Sequence, residues 1–389
     1  MQTAECDTRT ENRERFHDFL SKGYPHYEKI LLKDSKRVEV ILEGKNPPPY
    51  EVEIQPSSLC NLKCKHCEGR NYKRLPNLMD KKEIREIAKK INDFKQNGLK
   101  VEVAKFCGTT GEPFVNARTT IEGINLFSDF GKQIVVYTNG LYLNREDGTC
   151  YDELLKVKRL NISLDAGSEE VFTRLKGRQG FGRIIKNLEE IAKKREGNSK
   201  MHLVASYVIG TENYNDVANA SRIVKDKGAD EISFRVDFTN LDEIRKISGE
   251  IIDNLEKAKE YADDKFKVIS AYTKDAIVNS DISDFNSYGK RCFTNALWAS
   301  VGPDCELYAC GHRTHGNVES YGSLLEHSFK ELWNSEKRMQ TIKNLPGEYC
   351  HVCSPFSERA NDFLTFLSGL HNNNHKSNFC LEDEIKKIN

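Results

Sequence analysis

Six short apolar stretches, each followed by a helical pattern, constrain this chain more than any other feature. They cover 50–54, 100–106, 133–137, 159–164, 202–209 and 231–236. The clearest helix between them is expected over 80–96. Asp80 is its N-cap, Glu83 follows three residues on, and Ile84, Ile87, Ala88 and Ile91 fall on one face before Gly98. A second helix is expected over 216–227, closed by Gly228. Strand–helix alternation of this length implies a parallel sheet with right-handed crossovers. Six units are too few to close an eight-fold barrel, so the expected fold class is α/β with an open six-stranded partial barrel. Functional side chains of such sheets gather at the strand C-terminal ends.

A chain of 389 residues has room for one large domain and a smaller one. The expected division is an N-terminal cap over 1–46, the partial barrel over 47–265, a linker over 266–285, and a second domain with a tail over 286–389. The cap carries a helical pattern over 12–20 and no evident chemistry; Pro47, Pro48 and Pro49 form a rigid connector after it. Lys and Arg balance Asp and Glu at 59 each, which points away from nucleic acid and from an acidic membrane surface. No apolar run approaches the ~20 residues of a membrane helix. The opening MQTAECDTRTENRERF lacks a signal-peptide core, so a cytoplasmic location is expected. Twelve cysteines in such a chain argue for metal or catalysis over disulfides.

Three of those cysteines, Cys60, Cys64 and Cys67, stand in C-x3-C-x2-C spacing directly after the first strand. Three thiolates this close wrap a loop around one inorganic centre. They are one too few to close a cubane cluster, whose irons usually take four cysteines, so one iron stays open to a small ligand. The competing reading is zinc with His66 as fourth ligand, though adjacent His66 and Cys67 would have to turn onto one ion.

The motif, its preceding strand and Gly111-Glu112-Pro113 after the second strand together resemble the radical S-adenosylmethionine (SAM) superfamily. That resemblance implies a 4Fe–4S cluster on Cys60, Cys64 and Cys67, with SAM chelating the open iron. Reductive cleavage of SAM then gives a deoxyadenosyl radical that takes a hydrogen atom from substrate. It also implies an external electron donor such as flavodoxin or ferredoxin. Gly111, Glu112 and Pro113 would line the SAM amino group, although Thr110 replaces the family's usual first glycine. Asn139, in Tyr137-Thr138-Asn139-Gly140, ends the third strand as relatives often do. Ser163 and Asp165 at the fourth strand end are candidates for the ribose or carboxylate, and Asp165 is equally placed to cap the next helix. Lys176 stands where relatives often have an arginine near the SAM carboxylate. Ile209 is the candidate for packing on adenine, and His66 for a contact beside the cluster. Arg235, costly to bury without a partner, is a candidate for SAM or substrate; Asp237 and Glu212 lie at the same end.

Cysteines return in the second domain. A β-hairpin is expected around Gly302-Pro303-Asp304, with a helix over 328–342. Cys292, Cys310, Cys350 and Cys353 are enough to enclose either a cluster or a zinc ion. The layout resembles the twitch domain, the short form of the SPASM extension behind many radical SAM barrels, and implies one auxiliary 4Fe–4S cluster on these four. Cys305 occupies a position where that family usually has glycine. Cys305 and Cys380 are conceivable thiol hydrogen donors, and the tail around His371–His375 is expected to be mobile.

The expected activity is an anaerobic radical SAM oxidoreductase. It would dehydrogenate a small polar molecule of the sugar or aminocyclitol type, with the auxiliary cluster as electron acceptor and Arg235, Asp237 and Cys305 as candidate catalytic groups. The alternatives are a ribosomal-peptide maturase, acting by oxidation, crosslinking or epimerisation, and a non-catalytic zinc-binding interaction protein.

Overall fold

The computed structural model describes residues 33–75, 77–145, 148–197, 200–270, 291–347, 350 and 355–373. The expected helix over 12–20 lies outside them, as do Cys353 and Cys380. One sheet dominates. Its strands in chain order are β1 (Glu51–Ile54), β2 (Val103–Phe106), β3 (Gln133–Thr138), β4 (Arg159–Ser163), β5 (His202–Ile209), β6 (Glu231–Val236), β7 (Lys267–Ser270), β8 (Trp298–Val301), β9 (Glu306–Tyr308) and β10 (Gly322–Ser323). They lie side by side as β7-β6-β5-β4-β3-β2-β1-β8-β9-β10. From β7 to β8 every pairing is parallel, and β9 and β10 turn back antiparallel.

Two features differ from the sequence reading. β7 forms at the start of the expected linker, because Val268 and Ile269 extend along the free edge of β6. The second domain's hairpin is no separate sheet: β8 pairs with β1 in register, Glu51 against Trp298 and Ile54 against Val301.

The pleat sorts the side chains. Val52, Ile54, Ala104, Phe106, Ile134, Val136, Leu160, Ile162, Ala205, Tyr207, Ile232 and Phe234 are all buried on the helix-covered side. Residues one step out of phase, such as Glu53, Lys105, Arg159, Ser163, Ser206, Glu231 and Arg235, share the inner side by register. This period-two split places a charged lining inside the sheet's curve and a hydrocarbon layer outside it.

Helices α1 (Ser35–Leu42), α2 (Lys81–Asp93), α3 (Ala117–Asp129), α4 (Glu169–Lys176), α5 (Phe181–Arg195) and α6 (Val217–Asp226) include those that cover the sheet. α2 starts as expected: Asp80 accepts from Lys82 and Glu83 backbone N–H groups, and Glu83 returns a bond to Asp80 N–H. It buries Ile84, Ile87, Ala88 and Ile91, each isoleucine stabilising by about 2 kcal/mol. The helix expected over 328–342 is two, Phe329–Trp333 and Glu336–Lys343, since Ser335 caps afresh on Arg338 N–H.

α1 joins a second small core. Val38 and Ile41 pack with Phe293, Leu297, Phe363, Leu364 and Leu367. The last three belong to helix Pro355–Asn373, so 371–373 of the expected mobile tail end a helix. No described helix is long and apolar enough to cross a membrane.

Candidate active site at the strand C-terminal ends

The loop after β1 carries Cys60, Cys64 and Cys67, all free and half-buried. Two backbone bonds hold it to the end of α4: Lys63 N–H donates to Lys176 O (3.1 Å) and Lys65 N–H to Leu175 O (3.0 Å). A helix end leaves such carbonyls unpaired, so the loop completes the helix while the helix fixes the loop. Burial pushes the Cys60 thiol up to about 11, with the charges of Glu112, Cys64 and Cys67 adding to it. Cys64 is also raised by burial, against the pull of the Lys176 ammonium. Three thiols within electrostatic reach of one another, half out of water, are a donor set that a cluster would neutralise together.

Beside them lies a buried trio. Asp165 and Lys176 are each 2% exposed and form an ion pair; His66 Nε2 meets the same carboxylate oxygen at 3.1 Å. The other oxygen accepts Val208 N–H at 2.7 Å. Asp165 sits at φ +57, a left-handed conformation that aspartate tolerates better than most residues. Burial resists its charge, but Lys176 and His66 overcome that and hold the carboxyl well below the usual carboxylate range. Burial likewise resists the charge on Lys176, yet Asp165 raises its pKa. His66 is turned to Asp165 through Nε2. That arrangement disfavours His66 as a zinc ligand.

Glu112 braces the next two strand ends. Its carboxylate accepts Thr138 Oγ1–H (2.5 Å), Asn139 N–H (2.8 Å) and Phe114 N–H (3.1 Å). Asn139 passes the contact on, its side-chain amide donating to Asn61 Oδ1 at 2.7 Å inside the cysteine loop. Gly111 is required by close approach, because a Cβ there would stand 2.0 Å from Ser57 O. Burial pushes Glu112 up to about 7 against the three hydrogen bonds it receives. A carboxyl whose folded pKa is raised binds its proton more tightly folded than unfolded. Its contribution to stability therefore declines as pH rises from about 4.3 to about 7. Glu112→Gln is expected to flatten that segment of a urea-unfolding pH profile. It should also cost about 1–3 kcal/mol, since an amide cannot accept from all three donors.

Inside the sheet, Glu53, Gln55, Lys105, Cys107 and Thr109 form a polar cluster. Lys105 Nζ lies 2.9 Å from Glu53 and 5.3 Å from the Tyr137 ring centroid. Gln55 donates to Glu53 (2.7 Å) and accepts Thr109 N–H (3.1 Å). Thr109 Oγ1–H in turn donates to Gly311 O at 2.6 Å, which reaches the second domain. A second link runs from Glu68 to His312, 2.5 Å apart, joining the residue after Cys67 to one just past Cys310.

The second domain holds Cys292, Cys310 and Cys350, all free and half-buried. Burial raises the Cys310 thiol, and the charges of Cys292 and Cys350 add to it. Arg313 Nη1 donates to Cys350 Sγ at 3.7 Å, and Cys292 Sγ meets Thr294 Oγ1 at 3.3 Å. Cys353 lies outside the described residues.

The remaining candidates separate. Ser163 and Arg235 are on the inner side, by their pairing with Ser206 and Val208. Ile209 is 1% exposed in the apolar core, so the pleat gives the inner position to Val208 instead. Asp237 caps a short turn, accepting Thr239 N–H (3.0 Å) and Oγ1–H (2.6 Å), a local role in place of the catalytic one expected. Glu212 is on the exposed rim with Lys65 (2.9 Å) and Arg174 (3.5 Å). Cys305 is 1% exposed, at φ +64, and burial, Glu83 and Asp304 raise its thiol. It faces the cap of α2 and not the inner side, which removes it as a substrate-facing hydrogen donor; the left-handed φ matches the glycine expected there. Sequence reading missed Glu53, Gln55, Lys105, Glu68 and His312. Polar residues at every second place in 51–55 were the available signal.

The radical SAM superfamily model matches residues 54–224, and an iron–sulfur cluster-binding (SPASM) domain model matches 292–354. A probable GTP 3',8-cyclase of Saccharolobus islandicus is 29% identical over 148 residues, 36% of this chain and 43% of that protein. The chain thus spans less than half the length of that relative. The antilisterial bacteriocin subtilosin biosynthesis protein AlbA of Bacillus subtilis is 24% identical over 379 residues, 91% of this chain and 78% of AlbA. Among solved structures, Streptococcus suis SuiB bound to precursor peptide SuiA superposes with TM-score 0.58 at 17% identity, covering 85% of this chain and 76% of that one. Native anSMEcpe with bound AdoMet and Cp18Cys peptide gives 0.53 at 17%, covering 80% and 87%. At such identities these structures establish the shared fold.

Proposed function

From a chain that belongs to the radical SAM superfamily, carries a SPASM domain and so uses SAM, a 4Fe–4S cluster and auxiliary iron–sulfur, we propose a peptide-modifying enzyme. The observation that carries this reading is the extent of likeness. AlbA, a bacteriocin biosynthesis protein, aligns across 91% of the chain, whereas the cyclase aligns across 36%. This favours the peptide reading over the sugar or aminocyclitol one.

The proposed ligands are Cys60, Cys64 and Cys67 for the SAM-binding cluster, and Cys292, Cys310, Cys350 and Cys353 for the auxiliary one. The bound SAM–cluster pair supplies a carbon radical able to take a hydrogen atom, and the auxiliary cluster an acceptor for the electron left on the substrate. The protein's own part is placement. The end of α4 holds the cysteine loop, and Lys176 favours the Cys64 thiolate. Glu112 and Asn139 tie the ends of β2 and β3 to Asn61 in that loop. The polar inner face, with Gln55, Lys105, Ser163 and Arg235, receives the substrate side chain, and Thr109 and Glu68 fix the second domain across it.

The test supplies the anaerobically reconstituted enzyme with SAM and reductant. One arm adds a panel of short synthetic peptides; the other adds a panel of free sugars and aminocyclitols. The expected result is deoxyadenosine above the substrate-free rate, together with a mass change, only in the peptide arm. Turnover confined to an aminocyclitol would reverse the reading.

A further inference from the structure

Tyr321 precedes β10 and is 4% exposed. Its hydroxyl oxygen is enclosed and has no hydrogen-bond partner among the described residues. A phenol hydroxyl buried in this way forgoes a bond worth about 1–3 kcal/mol, unless a group not made of protein receives it. Cys310 and Cys292, two of the auxiliary-site thiols, lie within electrostatic reach of it, as do Arg338 and Arg313. Tyr321 N–H donates to Leu307 O at 2.7 Å, and the Arg338 guanidinium stands 6.0 Å from the ring centroid. Arg338 is itself fixed, 3.6 Å from the Trp333 ring and donating to Trp333 O (3.0 Å) and Asn295 O (2.9 Å). Arg313 Nη1 already donates to Cys350 Sγ at 3.7 Å.

We propose that Tyr321 donates a hydrogen bond to a sulfur of the auxiliary cluster on its Cys310–Cys292 side and thereby raises that cluster's reduction potential. The inference rests on the proposed assignment of Cys292 and Cys310 as auxiliary-cluster ligands. Reduction adds negative charge to the sulfurs, so a fixed O–H donor stabilises the reduced form more than the oxidised one. Tyr321 is then a positioning residue for electrons, with no contact to substrate.

The experiment compares reconstituted full-length protein with its Tyr321→Phe variant, which keeps the ring. Both are titrated electrochemically under EPR detection, with iron counted on the same samples. The expected result is about eight irons in each. The auxiliary midpoint should fall by an amount equivalent to about tenfold in the one-electron equilibrium, about 59 mV, with the barrel cluster unmoved. Eight irons and unchanged potentials overturn the proposal while leaving the ligand assignment intact. A wild type with about four irons removes the assignment and the proposal with it. Should the variant fail to fill, ENDOR of the reduced wild-type auxiliary cluster decides. A proton coupling that exchanges in D2O is expected, and its absence overturns the proposal.

Discussion

Replacing Cys60, Cys64 and Cys67 together with alanine is expected to abolish deoxyadenosine formation and to lower iron from about eight to about four per chain. The loss is expected to be complete because no other described group can stand in. His66 is engaged with Asp165, and Cys107 and Cys305 lie on other elements, each beside a glutamate, Glu53 and Glu83. The fold should survive. The loop stays attached through Lys63 and Lys65 backbone bonds to α4, which involve no thiol. Iron, sulfide and deoxyadenosine measured on one preparation check this. Residual SAM cleavage above background would show that the cluster is held elsewhere. Retention of all eight irons would show that these cysteines are not its ligands.

The second large effect falls on stability. Lys176→Met leaves the Asp165 carboxylate buried without its principal partner and is expected to cost about 3–5 kcal/mol. Pairing it with Asp165→Asn removes the stranded charge. The amide still accepts Val208 N–H, so the double variant should recover most of that loss. The pH dependence follows from the two shifts. Asp165 is depressed in the folded state, so its contribution is present above its unfolded pKa, about 3.9, and is lost as pH falls through the folded value. Lys176 is raised, so its contribution is present below about 10.4 and is lost as pH rises through its folded value. Between those limits the wild type should stand above Lys176→Met by a constant margin in urea unfolding. A single variant no less stable than the double would show that the pair is dispensable. Lys176→Met should also fill its barrel cluster less readily, because the nearest cation to Cys64 is gone.

The alternation of strand and helix was legible because each barrel strand buries one face against helices, and hydrocarbon periodicity records that directly. The α2 cap was legible because Asp80 and Glu83 satisfy N–H groups within one turn of chain. The cysteine motif was legible because its ligands are neighbours in sequence. What stayed hidden was made by register. Glu53 and Lys105 face each other only once β1 and β2 pair. Glu68 and His312 meet across 244 positions. Ile209 and Val208 differ by one place, and only the pleat decides which enters the core. Asp237 stands out for its place at the strand end, while its capping of the turn Phe238–Asn240 was not legible in the sequence.

That β8 lies against β1 as the next parallel strand bears on how this protein can be divided. β1, the strand that delivers the first cysteine, would become a raw sheet edge if the chain were cut before Arg291. Its N–H and C=O groups would then be offered to any other extended chain. The iron–sulfur extension is therefore not cargo strapped to a finished catalytic module. It is the side wall of that module, and neither half is expected to travel alone through gene fusion, truncation or transplantation.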